Sequence, residues 1–157
     1  MIARLIRSVD FERVLRTRTR ASSAHFAVHH LPDRPSAPAK PSAKPATAEL
    51  STDEKPEVIS AVDDSVSASP PGAVWLGAVV PKRHAKRAVT RSLLKRQIRS
   101  TVTGAEAALA GGLWVIRLRA PFDRHIFVSA ASDALKRVAR AELEQLLESA
   151  AQRVSGR

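Results

Sequence analysis

Residues 74–99 read VWLGAVVPKRHAKRAVTRSLLKRQIR, and two changes of character within this stretch decide the fold. The first seven residues form a near-continuous apolar run, as in a strand covered on both faces. Pro81 ends it. From about 86 to 101 the apolar residues recur at helical spacing. Lys82, Arg83, Lys86, Arg87, Arg91, Lys95, Arg96 and Arg99 supply eight positive charges between 81 and 99, and no acidic residue lies between Asp64 and Glu106. A helix in a charge-balanced protein interleaves Glu or Asp to relieve such repulsion. Here the repulsion stands, which points to an anion from outside the chain, and a phosphate backbone is the natural candidate.

Working outward, Gly111 and Gly112 break the chain before a second apolar run at 113–119, LWVIRLR. With 74–80 and the basic helix it makes a βαβ unit, a connection that is usually right-handed. Residues 25–31, HFAVHHL, predict another strand. Ser8 is a candidate cap for a helix over about 10–16, with Phe11, Val14 and Leu15 on its apolar side. A long amphipathic helix is predicted over about 129–150, with Ala134, Leu135, Val138, Leu143, Leu146 and Leu147 as its buried stripe. Helices against a small sheet make an α/β sandwich.

At 100° per residue, Arg91, Ser92, Lys95, Arg96 and Arg99 fall on one side of the basic helix, and Val89, Leu93, Leu94 and Ile98 on the other. If the helix starts early, Arg83, Arg87, Arg91, Lys95 and Arg99 form one slanted row. The planar fork of Arg suits phosphate oxygens, and Lys adds a point charge.

Residues 32–72 differ from their surroundings. They hold eight of the chain's ten prolines, no aromatic residue and a net charge of −3 within a chain of +11, which leaves +14 on the remainder. Such a segment buries too little to offset its ordering entropy. It reads as a flexible insertion between two strands that pair without it. Residues 1–31 and 73–157 then form a single, strongly basic α/β domain.

Composition narrows the function. A pI near 11.3 favours nucleic acid or an anionic membrane surface. No 18-residue apolar stretch exists, and the start, MIARLIRSVDF, is too short and too charged for a signal peptide, so a cytoplasmic protein is expected. The absence of cysteine excludes disulfides, thiolate zinc sites and cysteine nucleophiles. His29 and His30 are adjacent on a strand and point apart, so they are not a metal pair; His25 and His29 lack a third ligand. His84 and His125 read as solvated turn residues, and Trp75 and Trp114 as core. No set of catalytic side chains is recognisable.

The run KRAVTRSLLKRQIR resembles the signature of the bacterial ribonuclease P protein subunit, which carries an R-N-x-x-K-R-x-x-R helix after a strand ending in a basic pair. Arg91, Ser92, Lys95, Arg96 and Arg99 match the helix, with Lys82 and Arg83 as the pair. Ser92 stands where Asn is usual, Leu93 where Arg is common, and Leu15 where Phe is frequent. The resemblance covers roughly 8–31 and 73–150, and places the insertion at a hairpin loop that is usually short. It implies an α+β two-layer sandwich, ribosomal-protein-like, of order α-β-β-β-α-β-α with a left-handed βαβ crossover. It implies a subunit of an endoribonuclease whose chemistry is carried by ribonuclease P RNA with Mg²⁺, and removal of the 5′ leader of precursor tRNA. Lys82, Arg83, Lys86, Arg87, Arg91, Ser92, Lys95, Arg96 and Arg99 would contact the RNA. Phe11, Phe26 and His29 would line the leader site, although Phe26 and His29 should face opposite sides of their strand. No protein-held metal, membrane or obligate protein partner is implied. The alternatives are a ribosomal or ribosome-associated RNA-binding protein without a tRNA-processing role, and a DNA-binding module. The latter is poorly served by Gln97, which lies away from the basic centre, and by the lack of a heptad seam.

The acids of the insertion, Glu49, Asp53, Glu54, Glu57, Asp63 and Asp64, could fold over the basic helix as a phosphate mimic, whereas its composition favours a solvated linker. The linker reading predicts unchanged nonspecific RNA affinity at low salt when residues 36–70 are deleted. Tighter binding by the deletion variant would mark the segment as a shield.

Overall fold

Strand β5, Gly112–Leu118, lies at the centre of a five-stranded sheet. The computed structural model describes residues 2–37 and 72–156. The other strands are β1 (Ile2–Arg4), β2 (Thr19–Ser22), β3 (Phe26–Leu31) and β4 (Val74–Val79), in the spatial order β1-β4-β5-β3-β2. β5 runs parallel to β4, with Gly77 beside Val115, and antiparallel to β3, with Val28 beside Ile116. The helices are α1 (Ser8–Leu15), α2 (Ala88–Gly104) and α3 (Asp133–Ser155). The expected order is therefore present, preceded by β1, which pairs parallel to β4 and has no periodicity of its own to announce it.

Alternation along the strands separates two apolar layers. Val74, Leu76, Trp114, Ile116 and Leu118 point to the face covered by α2 and α3, whose Leu94, Ile98, Leu143 and Leu147 pack there. Trp75, Leu113 and Val115 point the other way, beneath α1, where Val14, Phe11 and Leu15 meet them. Both tryptophans are core residues, as expected. Two glycines permit close approaches. A Cβ on Gly77 would lie 2.4 Å from the Phe11 ring, so the ring rests directly on the strand. Gly112 adopts φ +127, and a Cβ there would lie 2.5 Å from the Leu31 carbonyl.

Several sequence expectations move. Ser8 is the first residue of α1 rather than its cap; Arg7 occupies that position, and its side chain does not cap the helix but donates to the Ser36 carbonyl at 3.0 Å. α2 starts at Ala88 rather than 86, because Pro81–Ala85 first closes a turn: the Pro81 carbonyl accepts the N–H groups of His84 and Ala85, each at 3.1 Å. Val89, assigned to the apolar side, is exposed in the first turn. α3 begins at Asp133, where Ser132 Oγ accepts the Leu135 N–H at 3.1 Å. Such a cap contributes about 1 kcal/mol. The buried stripe is set differently from expectation: Ala134 and Val138 face solvent, while Ala139, Ala150 and Ala151 join Leu135 and Leu143 inside.

The strands flanking the insertion do not pair with one another, since β5 lies between β3 and β4. The chain divides into a unit of Met1–Ser36 with Pro71–Arg157 and a second of Ala37–Pro70. Residues 38–71, most of the expected insertion, lie outside the described residues. Before them, Asp33 pairs with Arg13, and the Ser36 N–H donates to Asp10 Oδ1 at 2.9 Å. Asp10 is fully buried. Burial pushes its carboxyl up, but the bonds from Ser36 and Arg13 outweigh this and hold it below its ordinary value. Among the described residues, no helix is long and apolar enough to cross a membrane.

His29 and His30 are buried on opposite faces of β3. His29 Nδ1 donates to the Thr17 carbonyl at 3.0 Å, and His30 Nε2 to that of Gly111 at 3.1 Å. Desolvation holds both below the ordinary 6.5, so both rings are neutral. At the start of β3, Glu142 of α3 accepts from the His25 backbone N–H and from His25 Nδ1, each at 2.7 Å, and from Ser23 Oγ. Burial raises the Glu142 pKa, and these bonds more than reverse that. Unfolded His takes up a proton near 6.5, above the folded values, so protonation favours unfolding as pH falls through that point. The two depressed carboxylates lose their contribution only at lower pH. The urea midpoint is therefore expected to be lower at pH 5.5 than at pH 7.5. Equal midpoints would show that the two imidazoles reach water in the folded state.

Candidate nucleic-acid interface

α2 is held down by Leu93, Leu94, Ile98, Thr101 and Val102, all buried, and this fixes which side faces out. Ser92, Lys95, Arg96, Arg99 and Ser100 are exposed on that outer side. With Thr103 these residues line a shallow groove of about 570 Å³. The ion pairs among the described residues lie elsewhere: Arg13 with Asp10 and Asp33, His25 with Glu142, Lys136 with Asp133 and Arg140 with Glu144. The outer face of α2 thus combines uncompensated cations with small hydroxyls, a lining that suits phosphate oxygens.

The expected basic residues divide into two groups. Lys82, Arg83, Lys86 and Arg87 precede the helix, so the row from Arg83 to Arg99 is not one helical ridge. Lys82, Arg83, Lys86 and Arg87 are exposed on the turn. Arg91 is half-buried, and its Nη1 donates to the carbonyls of Ala85 at 3.0 Å and Lys86 at 2.8 Å. It fastens the turn to the helix and is less available to a ligand than Lys95, Arg96 and Arg99. No acid stands in the first turn of α2, so the positive helix end adds to the cations there.

A second groove, of about 580 Å³, runs over the β1 edge of the sheet. Its lining includes Arg4, Phe11, Leu76, Lys95, Arg99 and Glu106. Lys95 and Arg99 line both grooves and form the ridge between them.

Of the three residues expected at a leader site, the structure brings only Phe11 to a groove. Phe26 is fully buried between the sheet and α3, its ring 5.9 Å from that of Phe122, and a base cannot reach it without opening the core. His29 lies on the opposite face from Phe26, as alternation requires, but it is only 4% exposed. Sequence reasoning missed Arg117. It is exposed on the α1 face of β5, between Ala27 of β3 and Val79 of β4. The signal was available: Leu113 and Val115 point to that face, and the next residue of the same parity is charged.

Among the described residues, no group of three His, Asp or Glu side chains converges to hold a metal. What the surface can do is bind a polyanion along α2 and hold a second strand segment across the ridge.

The Ribonuclease P family model matches residues 2–154. The ribonuclease P protein component of Burkholderia pseudomallei (strain 1106a) is 30% identical over 155 residues, 99% of this chain and 87% of that protein. The ribonuclease P protein component of Ralstonia pickettii is 44% identical over 80 residues, 51% of this chain and 56% of that one. Among solved structures, Staphylococcus aureus RNase P protein at 2.0 Å superposes with a TM-score of 0.56 at 17% identity, covering 92% of each chain, and a second structure of that protein gives 0.55 at 18%. That likeness supports the fold, and the match along almost the whole chain settles the family: the chain belongs to the ribonuclease P protein components, subunits of the ribonucleoprotein that processes tRNA.

Proposed function

We propose that Lys95, Arg96 and Arg99 bind ribonuclease P RNA through its phosphates, and that the groove over the β1 edge receives the 5′ leader of precursor tRNA. The observation that carries this is the ridge itself. Lys95 and Arg99 stand between the two grooves and have no carboxylate partner among the described residues. Two phosphate chains lying side by side repel one another, and a shared row of cations lowers that repulsion. Contacts of this kind position RNA without reading its sequence.

Phe11 offers the leader a ring on which a base can stack, worth about 1–3 kcal/mol. Arg117, exposed on the α1 face of the sheet, offers a phosphate contact beyond it. The hydrolysis is assigned to the RNA, and the protein's part is to hold and screen phosphates. The Mg²⁺ that supports the hydrolysis is assigned to the RNA as well. The protein lowers the Mg²⁺ requirement by screening phosphates that the ion would otherwise have to screen.

Cleavage of a precursor tRNA by a bacterial ribonuclease P RNA at low Mg²⁺, with and without the protein, tests this. Protein-dependent cleavage at the mature 5′ end is expected. An RNA that works at high Mg²⁺ and gains nothing from folded protein would overturn it. The RNA interface has its own test: replacing Lys95, Arg96 and Arg99 together by Ala should weaken RNA binding and flatten the slope of log K against log salt by about 2–3 units. An unchanged slope would place the interface elsewhere.

A further inference from the structure

α1 has eight residues, about two turns, and no side-chain cap at its start. A helix that short does not hold its shape alone in water, so its neighbours decide how it sits. Val14 is fully buried against the sheet, and Phe11 and Leu15 run along one side of it. Arg7, Asp10 and Arg13 recur every three residues along the other side.

This second row grips a separate piece of chain, Asp33–Ser36, which follows β3. Arg7 Nη1 donates to the Ser36 carbonyl at 3.0 Å and to Ser36 Oγ at 3.1 Å. Asp10 Oδ1 accepts the Ser36 N–H at 2.9 Å and Arg13 Nη1 at 3.1 Å. Arg13 Nη1 also donates to the Arg34 carbonyl at 3.3 Å, and its Nη2 pairs with Asp33. The centre of this clamp, Asp10, is 0% exposed. A buried carboxylate is costly unless its bonds are kept.

Phosphate binding makes no use of these groups, since Asp10, Arg13 and Ser36 line neither groove. Their position suggests another use. Apolar burial is non-directional, so it presses α1 onto the sheet without fixing its rotation about its own axis. Hydrogen bonds are directional. The bonds on the far side of Val14 therefore fix the roll of α1. That roll sets how the Phe11 ring lies against Gly77 and which part of it faces the groove over the β1 edge.

We propose that Asp10 and Ser36 are positioning residues for the leader site: the clamp of Arg7, Asp10 and Arg13 on Asp33–Ser36 holds the Phe11 ring at the angle at which a base stacks on it. The proposal rests on the leader-groove reading and deepens it, by adding residues that act through Phe11 without touching RNA.

The test uses the ribonucleoprotein assembled from the full chain and a bacterial ribonuclease P RNA transcript. Its affinity is measured for a precursor tRNA and for the same tRNA without its leader. The ratio of the two is the leader preference. Asp10→Asn removes the charge that Arg13 answers, and Ser36→Pro removes the N–H that Asp10 accepts. Each is expected to lower the leader preference about tenfold, as Phe11→Ala does, with affinity for the leaderless tRNA unchanged. The S36P/F11A double variant should lose no more than F11A, because both act through one ring. If D10N fails to fold, S36P decides, since it alters the clamp from the surface segment. An unchanged preference in S36P overturns the proposal. So do losses from S36P and F11A that multiply, or a leaderless affinity that falls in step with the other. If F11A keeps the full preference, the leader-groove reading fails, and the clamp's part in it fails too.

Discussion

Burial of β5 on both faces is the constraint from which the other positions follow. Leu113, Trp114, Val115 and Ile116 are all fully enclosed, so layers must cover both sides of this strand. Its parallel partner β4 can be joined to it only by a crossover. α2 is that crossover, and its inner side must lie over Leu76, Trp114 and Ile116. Once Leu93, Leu94 and Ile98 face the sheet, the basic residues between them have one direction left. The core thus orients the charged row, and the exposed cations sit at fixed places on a rigid element. Removing Leu94 from this core would cost about 2–5 kcal/mol and loosen the cation-bearing side along with it.

Strands β4 and β5 were legible in the sequence because strands covered on both faces read as continuous apolar runs. β1 and β2 were not read as strands from their own residues. Their sequences, IAR and TRAS, are short and each carries an arginine, and what makes them strands is pairing with β4 and β3. The row on α2 was legible, but its beginning was not, because the turn after Pro81 depends on backbone bonds and on the Arg91 side chain. Alternation correctly set Phe26 and His29 on opposite faces, yet it cannot say which face is sealed. That depends on where α3 and α1 lie. Arg117 was overlooked although its parity marks it.

The arginines show how little the residue type alone says about role. Arg13 is neutralised by Asp10 and Asp33. Arg91 bridges two carbonyls, a task for a planar fork with several donors that Lys would perform poorly. Arg96 and Arg99 have neither kind of partner among the described residues and stay hydrated until a polyanion arrives. A count of positive charge treats these side chains as equal. Distances to carbonyl and carboxylate oxygens separate the ones that build the surface from the ones that use it.

The chain leaves the sheet at Leu31 and re-enters it at Val74, on strands either side of β5, two strand spacings or about 10 Å apart. Neither end forms a ladder pair with the other, so no register depends on what connects them. Each doubling of a connecting loop raises its closure cost by only about 0.6 kcal/mol. This point of the molecule is therefore a natural splice site. A segment of almost any length, or a separately folding module such as a fluorescent reporter, can be inserted there while the helix that carries the cation row keeps its place.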